Sequence, residues 1–251
     1  MIKAIIYGAN GKMGKMLLDC LSENPLCTAV AGVDKFASRT ISPIHIYPSL
    51  CDVKETADVI IDFSIKDTAK EILEYAVTKK IPVVIATTGY GPAEDALVAK
   101  ASANIAIFKS GSMSLGIYAL AELAKTTAKL FGKDADIEII EHHHNQKVDA
   151  PSGTALILAD AIKSVRPELK YVYGREGHTG ARKKDEMGIM AIRGGTVVGK
   201  HEVLFMLNNE VITLKHEAES RAMFANGAIK ATQFIVNQKP GIYSLKDMLA
   251  N

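Results

Sequence analysis

Cysteine is scarce. The 251-residue chain holds three, Cys20, Cys27 and Cys51, with no C-x-x-C pair among them. An odd, scattered set excludes a disulfide framework and points to free thiols in a reducing compartment. None has a basic neighbour placed to make a reactive thiolate, so buried packing is the expected role of each. Long apolar runs are missing too, and none approaches the ~20 residues that span a bilayer. Excess charge of either sign is absent: the formal net charge is +2, too small to imply a nucleic-acid or membrane partner. The one basic cluster, Arg175, Arg182, Lys183 and Lys184, reads as a solvated loop. There is no low-complexity tract, no internal repeat and no charged-then-apolar signal region before the first strand. A cytoplasmic location is the expectation. The composition, 48% hydrophobic and 23% charged, suits one large α/β domain or two modest ones.

What is present begins with alternation of two periods. The apolar run 2–7 suits a buried parallel strand, and 12–23 follows with helical spacing through Met13, Met16, Leu17 and Leu21. Strands are expected at 28–33, 59–63, 81–86 and 105–109, with helices at 66–79 and 93–101. Strand–helix alternation with short connections predicts a doubly wound parallel sheet. After Gly116 the pattern changes. A long helix over 115–130 leads to a half-buried strand at 137–141, a helix at 152–163, and strands at 187–193, 196–205 and 210–216. Gly194-Gly195 and Asn208-Asn209 sit where hairpin turns are expected. Neighbouring hairpin strands imply a mixed or antiparallel sheet, hence a second domain. The helix at 223–237 can return to the first. The fold expected is α/β: a Rossmann-like parallel sheet over 1–114 and 221–251, with an inserted α+β domain over 115–220.

The first loop reads Gly8-Ala9-Asn10-Gly11-Lys12-Met13-Gly14, directly after a strand and opening a helix. Glycines there serve a tight turn, close backbone approach to a pyrophosphate, and close helix–strand packing. The helix N-terminus then faces the phosphates. Asp34 lies at the end of the second strand, 20 positions after Gly14, where an acidic side chain can bind ribose hydroxyls. Lys35 follows and can pair with a 2′-phosphate. Asp34 argues for NADH and Lys35 for NADPH, so both stay open as the cofactor. The strand-end loops Asp62-Phe63-Ser64 and Ala86-Thr87-Thr88-Gly89 should border the same nucleotide.

The most concentrated polar segment is residues 141–155, E-H-H-H-N-Q-K-V-D-A-P-S-G-T-A. Metal binding is disfavoured, because adjacent histidines seldom aim at one ion, no cysteine is near, and Lys147 repels a cation. A solvated polar loop is the bland alternative. The functional reading is anion capture with proton transfer. Ser152, Gly153 and Thr154 open a helix, where N–H groups and hydroxyls can hold a carboxylate. Lys147 adds a full positive charge, and a histidine can pass a proton at neutral pH.

These residues carry a family resemblance. The segment 141–155 matches E-x-H-H-x-x-K-x-D-A-P-S-G-T-A, and the chain resembles the 4-hydroxy-tetrahydrodipicolinate reductases (older name dihydrodipicolinate reductases) of the diaminopimelate–lysine pathway. The likeness spans nearly the whole chain. It takes in G-A-x-G-K-M-G at 8–14, I-D-F-S at 61–64, A-T-T-G at 86–89 and M-S-x-G at 113–116. Further on it takes in R-G-G at 193–195, G-x-H-x-V at 199–203, H-x-A-x-S-R-x-x-F-A-x-G-A at 216–228 and P-G-x-Y at 240–243. The resemblance implies reduction of a cyclic dicarboxylate by NADH or NADPH with loss of water. It also implies a homotetramer assembled mainly through the inserted domain's sheet. By position it makes His143 the catalytic proton-transfer histidine and Lys147 the proton donor. His144 contacts substrate, and Gly153 and Thr154 bind a carboxylate. Arg221 resembles a further pocket residue or a structural one. On the cofactor side Gly8, Ala9, Asn10, Gly11, Lys12 and Met13 match the pyrophosphate loop. Asp34 and Lys35 match the ribose position. Ala86, Thr87 and Thr88, with Ser110, Gly111, Ser112 and Met113, match the loops around the nicotinamide.

The chain departs from the family at two positions. Ala86 replaces a usual glycine, and Ser112 replaces a usual asparagine, offering a shorter side chain with one donor. Both bear on cofactor affinity rather than reaction class. Two readings compete with the reductase: another two-domain Rossmann oxidoreductase acting on an amino or hydroxy acid, and a non-catalytic nucleotide-binding module. The complete segment 141–155 speaks against both.

Overall fold

The computed structural model describes residues 1–36 and 43–250. The chain divides into two compact units, Met1–Met113 with Arg221–Asn251, and Ser114–Ser220. Strands and helices are numbered in chain order across both.

The first unit carries β1 (Ile2–Tyr7), β2 (Cys27–Val33), β3 (Ile46–Tyr47), β4 (Val59–Asp62), β5 (Val83–Ile85), β6 (Ala106–Lys109) and β12 (Gly241–Tyr243). They form one parallel sheet in the order β12-β6-β5-β4-β1-β2-β3. Continuous apolar runs such as β4, buried at every position, require cover on both faces. Helices α1 (Lys12–Ser22), α2 (Ala69–Lys79), α3 (Pro92–Ser102), α6 (Ala222–Ile235) and α7 (Leu245–Leu249) belong to this unit. Ile72, Leu73 and Ala76 of α2 and Val98 of α3 join Ile5, Ile60, Val83 and Ile107 in one core. On the other face α1 packs beside α6, burying Leu17 and Leu21. Leu17→Ala would cost about 2–5 kcal/mol as transfer and cavity terms combined. Strand order reverses about β1, which has β2 on one side and β4 on the other, and ligands gather outside the strand ends at such a switch point.

The helix expected over 66–79 starts as a 3-10 turn, Lys66–Thr68, before α2. β3, β12 and α7 were not anticipated. Buried packing holds for Cys27 but not for Cys51, which is exposed; Cys20 is half-buried. Cys51 sits in the 3-10 turn Leu50–Asp52, where Leu50 takes the inward position instead.

The second unit carries α4 (Leu115–Phe131), β7 (Asp136–His143), α5 (Gly153–Lys163), β8 (Lys170–Val172), β9 (Glu186–Arg193), β10 (Gly199–Leu207) and β11 (Glu210–Ala218). The sheet order is β11-β10-β7-β9-β8. β7 is its middle strand, antiparallel to β10 and parallel to β9. Burial alternates strictly along β7, and α4 and α5 cover the inward face. There Leu120, Ala124, Leu158 and Ile162 pack on Ile137, Ile139, Val203 and Phe205.

The sheet is mixed, as the strand pattern implies, and one of the two candidate turns closes a hairpin. β10 and β11 do form a hairpin at Asn208-Asn209, with Leu207 paired to Glu210 and Asn209 left-handed at φ 63°. Gly194-Gly195 is not a hairpin turn, because β7 lies between β9 and β10. A two-residue turn joins only antiparallel neighbours; the chain here must cross over β7. The basic cluster is also more than a solvated loop. Arg182 pairs with Asp136 and Glu138 of β7, and Arg175 pairs with Glu138 and Glu186.

Candidate active site

In the first unit the glycine loop leaves β1 at the switch point. Gly8 is left-handed (φ 82°), and a Cβ on it would lie 2.6 Å from the Phe63 carbonyl oxygen. A Cβ on Gly14 would lie 2.2 Å from the Gly8 carbonyl oxygen. Neither contact can relax, because both partners are backbone. Gly11 precedes α1 without a capping side chain, and the first turn of α1 carries no acidic residue. This cradle suits a pyrophosphate: the helix end offers N–H groups and partial positive charge, and no side chain competes for them.

Asp34 stands just past β2, and both its carboxylate oxygens are engaged by backbone. Oδ2 accepts the Asn10 N–H at 3.0 Å and Oδ1 accepts the Phe36 N–H at 3.0 Å. The Asn10 amide donates to the Phe36 carbonyl at 3.1 Å. Asp34 therefore ties the glycine loop to the segment after β2, and Lys35 beside it is exposed.

At the ends of β4 and β5 a second polar group forms. Asp62 is fully buried, and its Oδ1 accepts the Ser64 N–H at 2.9 Å and the Ser64 hydroxyl. Burial pushes the Asp62 carboxyl up, partly offset by hydrogen bonds from Ser64 and Thr87. The Ser64 N–H also reaches the Thr87 Oγ1 at 2.9 Å, so the 62–64 and 86–89 loops are joined. Thr87 is buried, Ala86 half-buried and Thr88 exposed. After β6 the Ser110 hydroxyl donates to the Ser112 carbonyl at 2.6 Å. Met113 is buried, Gly111 is exposed, and Arg221 directly precedes α6.

In the second unit the segment 141–155 is not a loop at its start. Glu141, His142 and His143 belong to β7, and the loop begins at His144. Alternation puts Glu141 and His143 on the inward face. Register sets His201 of β10 opposite Glu141 and Arg193 of β9 opposite His143.

Glu141 is wholly buried and saturated. Its Oε2 accepts from the Arg193 Nη1 at 2.8 Å and lies 2.6 Å from the His143 Nδ1. Its Oε1 accepts from the Arg193 Nη2 at 2.7 Å and from the Ser152 N–H at 3.0 Å. Burial raises the Glu141 carboxyl, but Arg193, His143 and Ser152 outweigh it and leave it below the ordinary carboxylate range. Burial lowers the His143 ring, and Glu141 offsets only part of that effect.

Ser152 caps α5, its Oγ accepting the Ala155 N–H at 3.1 Å, and the same oxygen lies 2.9 Å from the His201 Nε2. Gly153 is exposed with open space where a Cβ would stand, and Thr154 is half-buried beside it. His144 is half-buried, its N–H donating to the Val197 carbonyl at 2.8 Å. Lys147 donates to Asp149 Oδ1 at 2.8 Å, and that ion pair holds the Asp149 carboxyl down. An ammonium, a neutral imidazole and an open helix N-terminus can together hold a carboxylate and move a proton. Among the described residues no group of three or more His, Cys, Asp or Glu is set to hold a metal.

Reading the chain alone gave no role to Arg193, His201, Gly199 or the Glu141 carboxylate. The signal was present in the R-G-G and G-x-H-x-V motifs and in the two-residue spacing of Glu141 and His143. Only strand pairing shows that they meet.

Residues 2–113 match the family described as dihydrodipicolinate reductase, N-terminus, and residues 116–249 match dihydrodipicolinate reductase, C-terminus. The chain is 51% identical over 250 residues to a 4-hydroxy-tetrahydrodipicolinate reductase of Caldanaerobacter subterraneus subsp. tengcongensis, covering 99% of this chain and 98% of the relative. Its identity to the 4-hydroxy-tetrahydrodipicolinate reductase of Clostridium tetani is 45% over 250 residues, covering 99% and 97%. Among solved structures, a dihydrodipicolinate reductase from Paenisporosarcina sp. TG-14 with dipicolinate bound superposes at a TM-score of 0.81. It is 25% identical, and the match covers 98% of this chain and 99% of that one. A probable dehydrogenase from Thermotoga maritima, 12% identical at a TM-score of 0.61, shares the fold.

Proposed function

The chain belongs to the dihydrodipicolinate reductase family, and from that premise we propose that it reduces 4-hydroxy-tetrahydrodipicolinate to tetrahydrodipicolinate in diaminopimelate and lysine synthesis. One hydride and one proton enter the ring and one water leaves. The observation that carries this reading is the segment 141–155 folded as a buried Glu141–His143 pair beside the open N-terminus of α5.

The first unit supplies the nucleotide-binding residues. Gly8, Ala9, Asn10, Gly11, Lys12 and Met13 would hold the pyrophosphate, and Asp34 and Lys35 the adenosine ribose. Ala86, Thr87, Thr88, Ser110, Gly111, Ser112 and Met113 would border the nicotinamide. When bound, the nicotinamide supplies the hydride. Asp34 suits a ribose with free hydroxyls and Lys35 one with a 2′-phosphate, so we assign use of both NADH and NADPH.

The second unit supplies the acid-binding and proton-transfer residues. The N–H groups of Gly153 and Thr154 at the start of α5, with the Thr154 hydroxyl, would hold one substrate carboxylate. His144 would contact the substrate, and Lys147 would attract the dianion and donate a proton. His143 is a neutral ring at pH 7, its fall below the ordinary value being due to burial, and it exchanges a proton with the substrate.

We further assign a homotetramer, built on the face of the second sheet turned away from α4 and α5. Ile192 and Val211 are exposed on that face, with Leu204 and Met206 half-buried beside them. Sedimentation of the purified protein tests this, and a monomer at micromolar concentration would remove it. Three free cysteines suit a reducing cytoplasm, and among the described residues no helix is long and apolar enough to cross a membrane.

The deciding experiment supplies the substrate continuously from the preceding pathway enzyme and follows nucleotide absorbance with each nucleotide. Oxidation that depends on that supply is expected with NADH and with NADPH. No oxidation with either would overturn the reading. His143→Ala should lower kcat by about 10²–10⁴.

A further inference from the structure

Two residues given no chemical role above, Arg193 and Glu141, form a chain of contacts that ends on His143. Glu141 receives a bidentate grip from Arg193, at 2.8 and 2.7 Å, across the β7–β9 pairing. Its remaining partners are the Ser152 N–H and the His143 Nδ1. A carboxylate held by a guanidinium accepts hydrogen bonds and donates none. The contact of 2.6 Å to His143 therefore places the ring proton on Nδ1. In a neutral imidazole that leaves Nε2 with a lone pair. Beyond it stands Gly199, where a Cβ would come within 3.0 Å of the His143 Nε2, so that nitrogen meets no side chain from the start of β10. His201 packs edge-on against the same ring, with centroids 5.1 Å apart, and restrains its rotation.

We infer that Glu141, locked by Arg193, is the positioning residue of this enzyme: it fixes the Nδ1–H tautomer of His143, and Gly199 keeps Nε2 clear for proton exchange with the substrate. The inference rests on the proposed role of His143. It separates the two polar groups chemically. The resting His143 Nε2 takes the substrate-ring proton that is lost with the hydroxide as water, and passes it to that leaving group. The ammonium of Lys147 supplies the proton that enters with the hydride. Neither Glu141 nor Arg193 touches substrate in this scheme; both act through the imidazole.

Glu141→Gln is the decisive variant. Glutamine keeps the shape and can still accept from Arg193, but its amide donates toward Nδ1 and drives the ring proton to Nε2. Kinetics of E141Q, H143A and the double variant are compared, alongside ¹⁵N spectra of the histidine rings assigned through the signals lost in H143A. The expected wild-type spectrum shows His143 protonated at Nδ1, and E141Q shows it protonated at Nε2. E141Q should lower kcat by about 10²–10⁴ with KM changed by less than about threefold, and should cost little more in the H143A background. A wild-type Nε2–H ring would overturn the inference, and so would E141Q within threefold of wild type while H143A is crippled. If H143A itself keeps near-normal kcat, the proton-transfer role fails first and this inference falls with it, an outcome the single variant identifies. Should E141Q not fold, the wild-type ring spectrum alone decides.

Discussion

The Ser152 hydroxyl and the His201 imidazole lie 2.9 Å apart and join the first turn of α5 to β10. The ring is only 3% exposed. Burial holds it far below the ordinary histidine value, at about 3, with His143, His216 and Lys147 acting in the same direction and Glu141 against them. Between about 3 and the unfolded value near 6.5 the unfolded chain binds the extra proton, so stability is lost as pH falls through that window. Wild type should therefore lose up to about 1.4 kcal/mol per pH unit more than His201→Gln below pH 6. Urea unfolding from pH 7 to 4 measures this, and parallel slopes would sink the prediction.

The glycine loop makes a sharper steric prediction. Gly14→Ala drives a Cβ into the Gly8 carbonyl oxygen and the Ala9 backbone, whereas Gly11→Ala meets only a 3.1 Å contact. The first should cost about 1–3 kcal/mol of stability and weaken NADH binding by more than about tenfold, as a backbone shift withdraws the helix N-terminus. The second should do much less. A fluorescence titration of NADH decides, and near-equal affinities of the two variants would contradict the reading.

Nucleotide preference should separate at Lys35. Each Asp34 oxygen accepts one backbone N–H and keeps a lone pair for a ribose hydroxyl, whereas the exposed Lys35 carries the positive charge that a 2′-phosphate needs. Lys35→Ala should raise KM for NADPH by about tenfold, the scale of one charge-assisted contact, and leave KM for NADH within twofold. Equal changes for the two nucleotides would remove Lys35 from the ribose site.

Arg182 should matter to stability although it stands in a basic surface run. It bonds Asp136 and Glu138 and also the Ile137 and Glu186 carbonyls. Truncation takes this donor from the Ile137 and Glu186 carbonyls and leaves Glu138 to Arg175 and Asp136 to Lys184 alone, so Arg182→Ala should cost about 1–3 kcal/mol. Lys184, whose side chain is 69% exposed beside Asp136, should leave the melting temperature unchanged on the same substitution. Thermal denaturation of the two variants is the check.

Much of the fold could be read from local pattern. The apolar runs of β1, β4 and β5 and the helical spacing of α1 mark the parallel sheet because burial on both faces leaves a continuous signal. Three strands escaped because β3, β8 and β12 span only two or three residues, too few for any period to emerge. The placing of β7 between β9 and β10 escaped for another reason. Turn chemistry at Gly194-Gly195 speaks for a local reversal but carries no information about which strand pairs with which. The site divides the same way. The chemistry of residues 141–155 was legible because the segment is contiguous. The grip of Arg193 on Glu141 spans 52 positions and exists only through strand register.

The central place of β7 has a consequence for motion. Its backbone is paired with β10 over residues 136–142 and with β9 over residues 137–143, so freeing Glu141 requires peeling two strands at once, and His143 at the strand's end is held by β9. The Glu141 amide should exchange hydrogen only with global unfolding, while those of residues 146–150, where Val148 is 98% exposed, exchange through small local openings. The imidazole thus rides on one of the slowest-opening parts of its unit and the lysine on one of the fastest. The ammonium can follow a substrate in and out while the ring that exchanges the proton stays where the sheet has fixed it.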